Sequence, residues 1–316
     1  MNEIIKDKAW RFKQLNQLKK GKSIFRIIPN NIGEIFYCDS TNKNAEPLSP
    51  KQVKNRKIIG VIIGLIALGL SVYYIYTDIF WAVIPIFLIS FFVIRAVVDC
   101  SFTGTDYFVG DKGFAVINFS GTRNKVVSTN IVLFKEVYAL FTYEYKKPSY
   151  THSRKEIPMI IYYFTIYKKT KENNDGNIRF DVLYCTSGTY VDNEEFNQKN
   201  PFTPAGAEPD YTFMKTVEEY WTQYFLLCVK SMPKIPFPLY YRNNIIPYIL
   251  LTDHSIIVQG KEYTKEDIKK MYFSRKTLVI KTHIQPGESE ETSNVNIPVY
   301  DLGNMKAFIV LLNKWF

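Results

Sequence analysis

The sequence predicts an α+β protein: a transmembrane α-helical hairpin over residues 58–98, followed by two strand-rich domains that each end in one helix. Three observations carry this. Two apolar runs lie back to back. Beyond residue 100 the pattern changes to apolar–polar alternation. That alternation comes in two series, and each finishes in a repeat with helical spacing.

The first 57 residues read as a basic amphipathic segment and a linker. They carry 13 Lys/Arg against 5 Asp/Glu, whereas residues 58–316 carry 27 against 25. The net charge of +10 is therefore concentrated just ahead of the first apolar run. Charge in that position favours anionic lipid headgroups as partner and gives no support for nucleic acid, which would need a basic face on a folded domain. Ile4, Ile5, Ala9, Phe12, Leu15 and Leu18 fall on half of a helical wheel, with Lys6, Lys13 and Lys20 towards the other half. The expectation is a helix lying on the inner leaflet, with Trp10 on its wrong side. Asp39, Ser40 and Asn42 open a polar linker that ends at Pro50.

Ile58–Tyr76 and Ile79–Val98 are the two apolar runs, separated by Thr77 and Asp78. One unbroken helix would be roughly 60 Å long, twice the ~30 Å hydrocarbon core. It would also bury Asp78 near the bilayer centre at about 2.5–3.5 kcal/mol. A turn at Thr77-Asp78 removes both difficulties. Lys51, Lys54, Arg56 and Lys57 precede the hairpin and its turn carries no basic residue, so both termini are expected in the cytoplasm and the protein in the inner membrane. Tyr73, Tyr74, Tyr76 and Trp81 would form an interfacial belt, and Arg95 would reach the headgroups. Gly60, Gly64, Ala67 and Ser71 form a stripe of small residues. It suits packing against the second helix or, alternatively, assembly of a homo-oligomer.

The first strand-rich region, residues 101–233, opens with Asp106–Val109 and Phe114–Ser120 around Gly110-Asp111-Lys112-Gly113, a hairpin signal. Further strands are expected at Val126–Leu133, Ala139–Tyr145, Ile157–Lys168 and Ile178–Thr186. The loop Asn200–Asp210 leads to a helix with Phe213, Val217, Trp221, Tyr224 and Cys228 on one face. The second region, residues 240–316, offers strands at Tyr248–Thr252, Ser255–Gln259, Ile268–Phe273, Thr277–His283 and Val295–Val299. An acidic loop spans Gly287–Asn294. A last helix is capped near Asn304, with Met305, Phe308, Leu312 and Trp315 on one side.

FKEVYALF (Phe134–Phe141) and TKEDIKKMYF (Thr264–Phe273) are locally alike, which suggests two related domains. Strands closed by one C-terminal helix resemble the plan of pleckstrin-homology-like (PH-like) domains. TDYFVGDKGFAVINF after a two-helix hairpin is similar to the opening of such domains in bacterial membrane proteins, and IVLFKEVYAL resembles a later core strand. The resemblance covers residues 58–147 and, more loosely, 245–316. It implies a membrane-anchored binding or scaffolding protein with two PH-like domains and brings no catalytic residue. PH-like domains often present charge in their turns, so Lys112, Arg123 and Lys125 are candidate headgroup contacts.

Catalytic chemistry has no sequence support. The three His lack metal-ligand spacing, the four Cys form no C-x-x-C pair, and no phosphate-binding or nucleophile-elbow motif occurs. No cofactor is expected. Membrane lipids and a protein are the expected partners. The alternative is a membrane effector or sensor whose hairpins assemble into a pore.

Overall fold

The computed structural model describes residues 3–43, 48–99, 103–120, 123, 125–150, 156–172, 178–191, 207–241, 244–274, 277–283 and 294–316. The acidic loop at 287–293, Cys100 and most of the loop preceding Asp210 lie outside them. The chain is α+β, with several antiparallel sheets, and divides into two compact units.

The first unit comprises residues 1–110 and 115–131. It contains α1 (Glu3–Lys19), β1 (Ile35–Ser40), α2 (Pro50–Tyr76), α3 (Val83–Asp99) and β2 (Thr103–Gly110), with most of β3 (Gly113–Ser120) and β4 (Lys125–Leu133). The four strands form one sheet in the order β1-β2-β3-β4. β1 pairs antiparallel with β2, from Ser40 opposite Asp106 to Tyr37 opposite Val109. The helical pair is therefore inserted between two neighbouring strands of one sheet. This corrects the boundary expected at residue 101: residues 35–40 belong to this sheet, so Asp39 and Ser40, expected to open a linker, are strand. Strand pairing joins residues some 70 positions apart, so no local window of sequence reveals it.

α1 packs on β1, and the apolar face expected to lie on the inner leaflet is divided between exposed and half-buried residues. Phe12 is 69% exposed and Ala9 is exposed, whereas Gln14 is buried and Leu15 and Leu18 are half-buried. Trp10, assigned to the wrong side, makes an edge contact with Phe25, whose ring meets Phe108 in turn. Arg11 ties the helix to the sheet through Asp39 at 2.8 Å.

α2 starts at a capping box: Ser49 and Gln52 exchange hydrogen bonds, and Pro50 follows the cap. At 27 residues it is about 40 Å long, and it is long and apolar enough to cross a bilayer. The second apolar run does not make one helix. It begins with the 3-10 turn Phe80–Ala82 and continues as the 17-residue α3, an apolar helix of shorter length. The two helices pack together, turning at Asp78, whose φ of 62° suits a residue type that tolerates the left-handed region.

The second unit comprises residues 111–114 and 132–316. β5 (Ala139–Tyr150), β6 (Glu156–Glu172) and β7 (Ile178–Val191) form a three-stranded sheet, followed by α4 (Ala207–Cys228). Phe213, Val217 and Trp221 of α4 are buried, as expected, and Phe213 meets Phe114 and Tyr184 edge-on. Cys228 is exposed, so the buried stripe ends a turn earlier than its spacing suggested.

Next come β8 (Ile235–Tyr241), β9 (Asn244–Leu251), β10 (Ser255–Val258) and β11 (Lys261–Thr264) in a sheet of order β11-β10-β9-β8. A three-stranded sheet of β12 (Ile268–Ser274), β13 (Thr277–Thr282) and β14 (Asn294–Pro298) follows, then α5 (Met305–Trp315). Ile235, Phe237, Ile249, Leu278, Ile297 and Phe308 lie at the centre of the shared core. The second series thus begins at Ile235, not 240: two prolines in IPFPLYY obscured β8, an edge strand where missing N–H groups are tolerated.

Candidate functional site

Lys112, Arg123 and Lys125 were expected to form one basic set at a headgroup. Lys112 and Lys125 are exposed, but Lys112 precedes β3 and the other two follow it. Arg123 faces inward and is 1% exposed. Its Nε lies 3.1 Å from Asp106 Oδ2, and its Nη2 is 3.0 Å from Asp106 Oδ1. Nη2 also donates to Ser40 Oγ at 2.8 Å and to the Asn42 carbonyl at 2.9 Å. The guanidinium stacks over Phe119 at 4.8 Å and Phe25 at 5.6 Å from the ring centroids. One cation thus fastens β2 to the segment just after β1, on either side of the helical pair. Arg suits this position because its planar fork satisfies a carboxylate and stacks on aromatic faces together.

Asp39 completes the polar core of this unit. It is fully buried, accepts from Arg11 Nη1 at 2.8 Å and from Tyr37 Oη at 3.3 Å, and lies 3.7 Å from Lys43 Nζ. Burial pushes the Asp106 carboxyl above its usual range, against the pull of Arg123. Burial pushes the Cys38 thiol up to about 12, with Asp39 and Asp106 adding to the effect. A thiol held neutral in this way is a poor nucleophile.

Of the small-residue stripe, Gly60, Ala67 and Ser71 are buried. A Cβ on Gly64 would lie 3.8 Å from Ile94 Cδ1 of α3. Ser71 Oγ donates to the Ala67 carbonyl at 2.8 Å, closing its polar group inside the helix. The stripe therefore faces the partner helix of the same chain. The outward sides carry Val61, Leu65, Val72, Trp81, Ile84 and Phe92, all at least 60% exposed.

Sequence reasoning missed the polar joint of the second unit. Asn304, expected as a helix cap, takes φ 57° and makes no side-chain cap bond. Its Oδ1 instead accepts from Leu140 N at 2.9 Å and from Trp221 Nε1 at 3.0 Å, and its Nδ2 donates to the Tyr138 carbonyl at 3.2 Å. Three elements, β5, α4 and α5, meet at one amide. Nearby Gly303 is required by close approach, since a Cβ would lie 2.9 Å from Pro238 Cγ and 3.0 Å from Phe141 Cζ.

A second cluster sits between α4 and the β5-β6-β7 sheet. Buried Asp210 accepts from Tyr162 Oη and Thr186 Oγ1, both at 2.9 Å. Lys215 bridges Glu144 and Glu218, each at 2.8 Å, and Thr142 donates to Glu218 at 3.0 Å. Each group here is matched by a neighbour, which marks a structural network and not a poised acid–base pair. Among the described residues, no group of three or more His, Cys, Asp or Glu could hold a metal ion.

No protein-family model matches this chain, and neither the curated proteins nor the solved structures contain a match.

Proposed function

We propose that this chain is a membrane-anchored binding or scaffolding protein with two PH-like domains on one side of the bilayer. The observation that carries the reading is the helical pair α2–α3, with its exposed apolar outer surface, inserted between adjacent strands β1 and β2. An unpartnered apolar surface of this extent marks a membrane or protein contact. Ser40 pairs with Asp106, and Thr41 N donates to the Thr105 carbonyl at 3.0 Å. The ends of the hairpin are thus tied to the same sheet, so a pair that spans would leave both flanks on one side. Lys51, Lys54, Arg56 and Lys57 favour the cytoplasmic side.

The order of elements supports the PH-like part. A four-stranded sheet, a three-stranded sheet and a helix follow one another in the chain, and the same order then repeats. The outward face of α1 supports lipid as a partner: Phe12 is exposed beside exposed Lys8, Lys13, Lys19 and Lys20. The small-residue stripe, covered by α3, favours anchoring over pore assembly through that face.

Membrane fractionation with alkaline wash, combined with reporter fusions at both termini, tests the anchor. Retention in the pellet with cytoplasmic reporters is expected. Release by the wash, or a periplasm-only reporter active at either end, overturns it. Affinity capture of the full chain in mild detergent, compared with a chain lacking residues 235–316, tests the scaffold. Partners lost with that deletion are expected.

A further inference from the structure

Among the described residues, each of the four sheets ends in two edge strands. Proteins guard such edges with charged residues, prolines or a covering element, because an open edge pairs with another chain. Charged residues or prolines occur in β5, β7, β8, β11, β12 and β14. β1 carries Asp39 and packs against α1. The remaining edge, β4, differs. After its first residue, Lys125, it reads VVSTNIVL, with neither charge nor proline.

Val127–Ile131 are five consecutive exposed residues, all within the first unit, so neither face of the strand is covered there. Ser128 lies beside Asn118 of β3, whose Nδ2 donates to Ser128 Oγ at 2.8 Å. Alternation then puts Val127, Thr129 and Ile131 on the opposite face, which is that of Phe119 and the stacked Arg123. This face carries the buried core of the unit, and at β4 it runs out into solvent: Val127 is 62% and Ile131 36% exposed. The strand thus combines a hydrogen-bonding edge with an uncovered apolar margin.

We propose that β4 pairs antiparallel with β4 of a second copy of this chain, about a two-fold axis at Thr129, so that two four-stranded sheets become continuous. The segment is nearly symmetric about that residue. In this register Thr129 lies opposite itself, Val127 opposite the partner's Ile131, and Ser128 opposite the partner's Asn130. Apolar side chains meet apolar ones on one face and polar meet polar on the other, which is the pattern that stabilises cross-strand pairs. A foreign strand with charged side chains would find no counter-charge between Val126 and Leu133, and this favours the second copy. Identical strands paired antiparallel give an isologous, closed dimer. Five residues extend over about 17 Å. That is a small contact beside the roughly 800 Å² per partner of a standard interface, so the dimer is weak and reversible. The pairing involves the sheet alone and does not depend on the membrane-anchor reading.

The test is the mass of the full chain in mild detergent, read by light scattering corrected for bound detergent, up to roughly 100 μM, a range that detects weak association. The wild type is expected to show a concentration-dependent monomer–dimer equilibrium. Thr129→Lys sets two like charges opposite each other across the axis, and so does each cross-strand pair in Val127→Lys/Ile131→Lys. Both should raise the dimer dissociation constant at least tenfold. Val127→Lys/Ile131→Glu places charges at the same two positions but sets opposite signs across the axis, and should stay within about threefold of the wild type. All three positions are exposed, and an unchanged melting temperature verifies the fold of each variant. A wild type that stays monomeric overturns the proposal and leaves the edge to an extended segment of another protein. A dimer insensitive to Thr129→Lys puts the interface on another surface and overturns it too. Equal loss in the two double variants overturns the pairing about Thr129.

Discussion

Replacing Arg123 by Met separates a structural cation from a headgroup ligand. The side chain is 1% exposed, and Asp106, its partner, is 4% exposed. Methionine retains much of the apolar stem and removes the charge, leaving a buried carboxylate with its main partner gone. Breaking one side of a buried pair costs about 3–5 kcal/mol. For a unit of this size each kcal/mol lowers Tm by roughly 2–4 °C, so the expected loss is on the order of 10 °C. Restoring neutrality with Arg123→Met/Asp106→Leu should recover a large part of it, because a matched apolar pair avoids the desolvation of both charges. Thermal melts of the full chain in detergent, followed by near-UV circular dichroism, give the readout. Vesicle flotation on the same variants tests the other role. A Tm unchanged within about 2 °C together with lost binding to anionic vesicles would refute the reasoning, and would mean that the guanidinium reaches lipid.

Other expected outcomes can be tested with simpler measurements. Maleimide at neutral pH should label exposed Cys185 and Cys228 in the folded chain and spare Cys38 until denaturant is added; rapid native labelling of Cys38, read by mass spectrometry, would contradict its burial. The folded-state pKa of Cys38 is raised from 9.0 to about 12, so its neutral form is favoured by folding. Its contribution to stability is complete below pH 9 and is lost as pH rises towards 12, and Cys38→Ser should weaken that alkaline loss in pH-dependent melts. Asn304→Gly preserves the left-handed backbone but leaves Leu140 N and Trp221 Nε1 without their acceptor, which should cost roughly 2–5 kcal/mol in denaturant unfolding. A loss below about 0.5 kcal/mol would show that the joint is solvated. A fragment beginning at residue 240 lacks Ile235 and Phe237, at 1% and 0% exposure, and should fail to fold, whereas one beginning at residue 207 should show dispersed amide resonances. Dispersion from the shorter fragment would place those side chains outside the required core.

What the amino-acid order decides alone is whatever depends on near neighbours. The apolar run to Tyr76 is read correctly because helix length and composition are local quantities. Alternation locates β3, β4, β6 and β13 to within a few residues, since side chains of successive strand residues point to opposite faces. The final helix is legible for the same reason, and Phe308 and Leu312 are buried as their spacing requires. The misreadings share a different cause. β1 is a strand only because β2, on the far side of the helical pair, offers it a hydrogen-bonding edge. Trp10 faces inward because Phe25 is there to receive it, although its wheel position is polar-side. Arg123 looks like a surface turn cation in the sequence, and it is buried because Asp106 and Ser40 arrive from two other segments. Asn304 resembles a helix cap and becomes a joint among three elements. A polar side chain leaves water only when partners from distant segments replace the water's hydrogen bonds, and that matching exists only once the chain is folded.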